Sequence, residues 1–326
     1  MIRGAMYVFL AAFLLFNIGE HASVSCALTS ELQSKIAEAN KKGPYLGLII
    51  PNSFELNPLL ENPGYTPYDT VIDFAGKRFR FGAIGDKPVV LVMTGLSLIN
   101  AGITTQLLLS FFAKGERLMN DLGVEQRHGL GPNDTLPLED NGDYTRKLGF
   151  LKFADFTTNV SADSSPDNQL NNIWYQPEEI FPVDGVPEQR QHAFWVPVDS
   201  IYYSIAEKLQ GLKLESCVNS TTCLNSTPKV QFVKRGISQS IYVDNLAYRT
   251  FIYNKFEVSP VDMETASVAL ICLQQRIPFI AIRALSDLAG GGSAESNEAD
   301  TFLSIAAANS VTAVIEFVKL LSSHSK

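Results

Sequence analysis

The chain has 326 residues, 46% of them hydrophobic and 18% charged, and a formal net charge of −8. This is the composition of a globular protein with room for a sizeable core, and it excludes a disordered chain. The acidic balance argues against a nucleic-acid or anionic-membrane surface, which wants clustered Lys and Arg, and favours a soluble protein with a small-molecule ligand or no ligand.

The N-terminus reads as a targeting segment, not as fold. Arg3 supplies a positive start, residues 5–18 are apolar apart from Asn17, and the small residues Ala22, Ser23, Ser25 and Ala27 follow. This pattern predicts a secretory signal peptide over residues 1–27. The apolar run is shorter than the roughly 20 residues that a membrane span needs. The expectation is therefore the secretory pathway, an extracellular or vacuolar destination, no membrane in the mature form, and one domain over residues 28–326.

Residues 45–50 follow Gly43-Pro44 and read as a buried strand. Residues 71–74 and 79–84 flank Ala-Gly-Lys and read as a hairpin. Residues 89–93 read as another buried strand, running through Thr94-Gly95 into an apolar helix over 99–112. Strand, Gly turn and helix form the unit of an α/β sheet with covered faces. Residues 113–190 are rich in Gly, Asn, Asp and Pro, and no buried strand is expected between 113 and 149. Further on, the pattern predicts a helix over 196–209 opening with Pro197, strands over 229–233 and 240–243, and a helix over 261–274 that Pro278 ends. A buried strand over 279–282 runs into Arg283-Ala284-Leu285-Ser286-Asp287. An amphipathic helix over 301–321 closes the chain, with Phe302, Ile305, Ala308, Val311, Ile315 and Val318 on one face. No window after the N-terminus is expected to span a membrane.

Cys26 lies at the expected cleavage site, and Cys272 falls in an apolar helix as a core thiol. Cys217 and Cys223 sit six positions apart in a polar loop and predict a loop-closing disulfide; metal binding is the weaker reading, since no His or third Cys is near. Glycosylation sequons stand at Asn133, Asn159, Asn219 and Asn225. His21, His128, His192 and His324 are scattered without metal-ligand spacing, so no metal is expected. A dinucleotide fingerprint and a P-loop are absent, and Gly290-Gly-Gly reads as a flexible turn.

Three carboxylates stand at the ends of elements. Glu264 is in the first turn of the 261–274 helix, Asp287 lies beyond the 279–282 strand, and Glu55 follows the 45–50 strand. Ligands of α/β sheets bind at the carboxyl ends of strands, so the three could converge on one crevice. Each also has a plain reading, as an acid favoured by a helix dipole or as a turn or cap residue.

Val-Asp-Met-Glu-Thr-Ala-Ser (261–267) and Ile-Pro-Phe-Ile-Ala-Ile-Arg-Ala-Leu-Ser-Asp-Leu-Ala-Gly-Gly (277–291) resemble the C-terminal signature of the purine and uridine phosphorylase family, including the methylthioadenosine nucleosidases. The resemblance implies that Met263 and Glu264 grip a ribose, and that Asp287 acts on a purine ring with Ser286 and Arg283 around it. Gly47-Leu-Ile-Ile-Pro-Asn-Ser-Phe-Glu55 is similar to the family's early Gly-Ile-Ile-Gly pattern, which would give Glu55 the activation of water. Asp262 stands where the family has Glu, one methylene longer. Pro51-Asn-Ser-Phe-Glu-Leu-Asn-Pro-Leu-Leu, Thr94-Gly-Leu-Ser-Leu-Ile-Asn-Ala-Gly-Ile-Thr-Thr-Gln, Asn141-Gly-Asp-Tyr-Thr-Arg-Lys-Leu-Gly-Phe and Val243-Asp-Asn-Leu-Ala-Tyr-Arg look like the plant bark and vegetative storage protein branch. Gly95 and Tyr242 join the implied substrate-binding set; for Tyr242 a plain core or surface role also stands open.

One departure is visible. The family carries a Gly-x-Ala-Gly strand and loop after the 99–112 helix, and residues 114–128 hold no such pattern. The resemblance therefore implies a three-layer α/β/α fold, phosphorylase/nucleosidase-like, with a mixed central sheet lacking one central strand. A lost central strand leaves backbone groups that need another partner. The implied activity is cleavage of the N-glycosidic bond of purine nucleosides, adenosine-type or cytokinin ribosides among them. It needs no cofactor beyond inorganic phosphate as co-substrate in a phosphorylase, and a homo-oligomer is left open. The alternative is a storage glycoprotein that keeps the fold and has lost turnover.

Overall fold

The computed structural model describes residues 28–112, 150–152, 172–174, 178–181, 188, 190–290 and 298–324. The expected signal peptide, the sequons at Asn133 and Asn159, and the departure at 114–128 lie outside these residues.

Helix α1 (Ser30–Asn40) starts where the Thr29 side chain accepts from the Leu32 N–H. Strand β1 (Leu46–Ile50) leads into α2 (Ser53–Glu61), whose cap is Asn52, accepting from Phe54 N and Glu55 N. Strands β2 (Tyr65–Phe74) and β3 (Lys77–Ile84) meet at Ala75-Gly76, both with positive φ (50° and 73°), the turn a tight hairpin requires. Strand β4 (Lys87–Met93) runs into α3 (Leu98–Phe112). These four strands form one sheet in the order β1-β4-β3-β2, parallel between β1 and β4 and antiparallel elsewhere, with Leu48 opposite Leu91 and Phe81 opposite Val90.

The remaining elements are short until the last helices. Strand β5 (Phe150–Lys152) pairs with β6 (Asn172–Trp174), and β7 (Glu178–Ile180) with β8 (Gln191–Ala193), both antiparallel. Helix α4 (Ser200–Ala206) continues as a single 3-10 turn, Glu207–Leu209. Strand β9 (Ile237–Ser238) pairs in parallel with β10 (Val261–Asp262), on either side of α5 (Leu246–Phe256). Helix α6 (Thr265–Gln275) and the long α7 (Glu298–His324) complete the set.

The alternation of side chains along the strands splits the core into two layers. Ile72, Phe79, Phe81, Val90 and Val92 face Ile36 of α1 and Leu108 and Phe112 of α3. Ile84, Val89 and Leu91 face Leu56 and Leu59 of α2, Ile205 of α4, and Val311, Ile315 and Val318 of α7. Phe79 and Leu91 are wholly buried, and each such side chain contributes about 1.5–3 kcal/mol relative to exposure. Helices thus cover both faces of a mixed sheet, and the fold is a three-layer α/β/α.

Several sequence expectations change. Residues 229–233, 240–243 and 279–282 are not strands; they enter no ladder among the described residues. The apolar side chains of 279–282 do what their pattern demands, since Ile280 and Ile282 pack on the core. An apolar run specifies burial, but a strand also needs a neighbour, and β1 pairs only with β4 among the described residues. The helix expected from 196 starts at Ser200, because Asp199 caps it by accepting from Tyr202 N and Pro197 stays outside. The helix expected from 261 starts at Thr265, because Val261–Asp262 is taken by β10. Thr301–His324 does reach the length and apolarity of a membrane span, against expectation, with half of its most apolar stretch buried inside the protein. Cys217 and Cys223 are joined (S–S 2.04 Å). Cys272 is buried, and burial pushes its thiol up to about 12.

Candidate active site

The carboxyl ends of the parallel pair β1 and β4 lie side by side. Thr94 N donates to Ile50 O (2.9 Å) and Gly95 N to Pro51 O (2.8 Å), so the two strand exits are stitched together. Each exit delivers one element of the site. From β1, the Asn52 cap starts α2 and sets Glu55 in its first turn. From β4, Gly95 (φ +79°) turns the chain, and Ser97 follows with φ +90°. A serine rarely adopts that conformation, and such outliers cluster where a backbone group must point in a particular direction.

Here the direction is toward Glu264. The Ser97 N–H donates to Glu264 Oε1 at 3.0 Å across 167 residues of sequence. Arg283 Nη2 donates to Glu264 Oε2 at 3.1 Å. The carboxylate is 4% exposed, so both bonds form in a site where unpaired charge is costly. Arg283 also places Nε 3.1 Å from Asp262 Oδ2 and reaches Thr265 Oγ1 with Nε and Nη2. Asp262 Oδ1 accepts from Glu264 N and Thr265 N, both at 3.1 Å, and from Ser238 Oγ at 2.5 Å.

Glu55 joins the same cluster electrostatically. Burial raises its carboxyl above the ordinary value; Arg283 opposes the rise, while Glu264 and Asp262 add to it. A carboxylate that holds its proton more tightly than usual is the better base toward water. Glu264 keeps acceptor capacity as well. A carboxylate offers about four lone-pair positions, and Ser97 and Arg283 occupy two of them.

Beside the cluster lies a cavity of about 1420 Å³. Asp262, Thr265, Arg283 and Ser286 line its polar side, with Phe194 and Trp195 among the apolar residues elsewhere. Of the sequence candidates, Arg283 and Ser286 line it. Asp287 is half-buried and its Oδ1 accepts from Ser286 Oγ at 2.6 Å. Met263 is half-buried between Asp262 and Glu264. Glu55, Met263, Glu264, Asp287, Gly95 and Tyr242 are not among the lining residues, and Tyr242 is 67% exposed. Asn219 is exposed within the loop that the disulfide closes, and Asn225 is exposed just after it. Among the described residues no His, Cys, Asp and Glu group could hold a metal.

Sequence reasoning did not single out Ser97, Ser238 or Thr265 as parts of this cluster. Asp262 announced itself through its place beside Met263-Glu264. Ser97 carries no signal except its position just after the Thr94-Gly95 turn.

A model of the phosphorylase superfamily matches residues 204–319, the span that holds Asp262, Glu264, Arg283, Ser286 and Asp287. The resemblance to the phosphorylase superfamily holds. Bark storage protein B of Populus deltoides is 29% identical over 263 residues, 77% of this chain and 82% of that one. A 5'-methylthioadenosine/S-adenosylhomocysteine nucleosidase of Bacillus cereus is 27% identical over 251 residues, 76% of this chain and 87% of that one. A solved methylthioadenosine nucleosidase from Helicobacter pylori, with 5'-methylthioadenosine in its active site, is 19% identical with a TM-score of 0.49, covering 85% of this chain and 99% of that one. The phosphorylase-superfamily match begins at residue 204, beyond Glu55 and Gly95; from the exits of β1 and β4 it is Glu55 and the Ser97 N–H that come to the cluster.

Proposed function

We propose that the chain is a nucleoside phosphorylase- or nucleosidase-like protein that cleaves the N-glycosidic bond of purine nucleosides, adenosine-type nucleosides among them. The observation that carries this reading is the pairing of Asp262 and Glu264 with the single guanidinium of Arg283, whose charge Glu55 also feels, beside a cavity that Asp262 and Arg283 line. The bond breaks through an oxocarbenium-like centre on the sugar, which needs its hydroxyls held, its leaving base neutralised and a nucleophile activated. Glu264 has the free lone pairs to accept from ribose hydroxyls, with Met263 beside it. Glu55 has the raised proton affinity of a base toward water. Asp287, aligned by Ser286, would neutralise the departing purine. Support comes from the superfamily match and from the likeness to the Bacillus cereus nucleosidase.

The test is base release from inosine, adenosine and methylthioadenosine, with and without inorganic phosphate. Release that needs phosphate marks a phosphorylase, and release without it marks a nucleosidase. No release under either condition sinks the reading.

A second reading has its own support. A storage glycoprotein of the secretory pathway, keeping the fold without turnover, fits the 29% identity to bark storage protein B and the exposure of the Asn219 and Asn225 sequons. Accumulation of a glycosylated chain with no base release favours it.

A further inference from the structure

The N-terminus of α6 is capped in an unusual way. Glu264 occupies the cap position but makes no capping bond with its side chain, because that carboxylate is engaged by Ser97 and Arg283. Asp262, two residues earlier, does the capping with Oδ1, which takes the N–H groups of Glu264 and Thr265. Its other oxygen, Oδ2, forms an ion pair with Arg283 Nε and accepts from the Thr265 hydroxyl, which in turn accepts from Arg283 Nε and Nη2. One carboxylate therefore does two jobs, one with each oxygen.

Asp262 is itself fixed from outside α6. Ser238 is its register partner across β9 and β10. The Ser238 hydroxyl donates to Asp262 Oδ1 at 2.5 Å and accepts from Ala266 N at 2.8 Å. With Oδ1 pinned by three donors, the direction of Oδ2 is set, and with it the edge of the guanidinium that Arg283 presents. We infer that Asp262, held by Ser238, is a positioning residue that aims the Arg283 fork at Glu264. The guanidinium is planar and its donors are rigidly spaced, so holding the Nε edge by the Asp262 charge and the Thr265 hydroxyl that Asp262 orients decides where Nη2 points. Without that anchor Arg283 pivots, and the Glu264 carboxylate loses the partner that orients it for a ribose.

This assignment rests on the nucleoside reading for its kinetic consequence, but not for its geometry. Asp262→Asn separates the two jobs. Asn is as good a cap as Asp, so Oδ1 still takes the helix N–H groups, while an amide NH2 replaces Oδ2 and offers a donor to a donor. Two readouts are taken on the full chain, a crystal structure of the variant and kcat/KM for base release from adenosine, inosine and methylthioadenosine. The expected structure has Arg283 turned away from Glu264 with α6 intact. The expected kcat/KM is lower on the order of 10- to 100-fold, and Asp262→Glu recovers most of the loss by restoring the charge. Ser238→Ala, which keeps Asp262 and removes its outside support, moves both readouts the same way by less. If Arg283 still meets Glu264 in Asp262→Asn, the positioning role is overturned whatever the activity. The same holds if turnover stays within about twofold of the unmodified chain. If the unmodified chain releases no base but Arg283 turns away, the nucleoside reading fails and the positioning role stands.

Discussion

Glu264 and Arg283 form a 3.1 Å ion pair in which the acid is almost wholly buried and the base is partly open to solvent (side-chain exposure 5% and 23%). The pair joins the start of α6 to the segment that leaves it. The desolvation cost falls mainly on the acid, so the acid depends on the base far more than the reverse.

Arg283→Met should therefore destabilise the fold sharply. It leaves Glu264 as a buried charge with the Ser97 N–H as its remaining described partner. The expected loss is about 3 kcal/mol, read from the urea midpoint at an unchanged slope. The double variant Arg283→Met with Glu264→Gln should regain most of it, because a neutral amide is cheaper to bury. A single variant within about 0.5 kcal/mol of the unmodified chain would show that the pair is not buried in solution.

Glu55 makes stability depend on pH with a definite sign. Its folded-state carboxyl holds a proton more tightly than the ordinary value of 4.5, chiefly through burial. Its contribution to stability is complete below the unfolded-state value and is lost as pH rises through the higher folded-state value. Glu55→Gln removes that loss. Measured side by side, the variant should gain on the unmodified chain as pH climbs from about 4 to about 7. A difference that stays flat across this range would mean that Glu55 is solvated like a surface acid. In a nucleosidase the same substitution should also remove most of the turnover.

The sheet and the site were legible to different depths. The hairpin and the separate strands at 45–50 and 89–93 were readable because they carry clean runs, such as Val89 to Val92, bounded by turn residues, whereas the parallel pairing of β1 with β4 was not. Helix α2 was not, because it is short, holds Pro58 and hides behind its Asn52 cap. The segments at 229–233 and 279–282 show the opposite failure: their apolar side chains are specified locally, while a ladder also needs a neighbouring strand, which a local pattern does not specify. Within the site, Met263, Glu264, Arg283 and Asp287 stood out through the family resemblance. The meeting of Ser97 with Glu264 could not, since it depends on how α3 and α6 pack and on a backbone angle that a serine codon does not announce.

The disulfide and the buried thiol should behave oppositely. Closing a loop of six residues by the Cys217–Cys223 bond stabilises by about 2 kcal/mol on chain-entropy grounds. Replacing both cysteines by Ala should lower the urea stability by roughly that amount. Cys272, with its thiol pushed up to about 12, should resist alkylation in the folded chain at pH 8 and react once urea unfolds it. Mass spectrometry of the Cys272 peptide reads this directly, and modification without denaturant would contradict the burial of α6.

Asp287→Asn is the sharpest test of the chemistry. The amide keeps an oxygen at Oδ1 for the Ser286 hydroxyl, which now donates at 2.6 Å, so the local turn has no reason to open. Stability should stay within about 0.5 kcal/mol. What the variant loses is the negative charge beside the position where a leaving purine would take up its proton. If Asp287 acts on the base, kcat should fall about 10²- to 10⁴-fold for every nucleoside that the unmodified chain cleaves, and KM should change much less, because in the proposed reading Glu264, not Asp287, holds the sugar. A large rise in KM at constant kcat would instead make Asp287 a binding residue, and turnover near that of the unmodified chain would remove it from the reaction altogether.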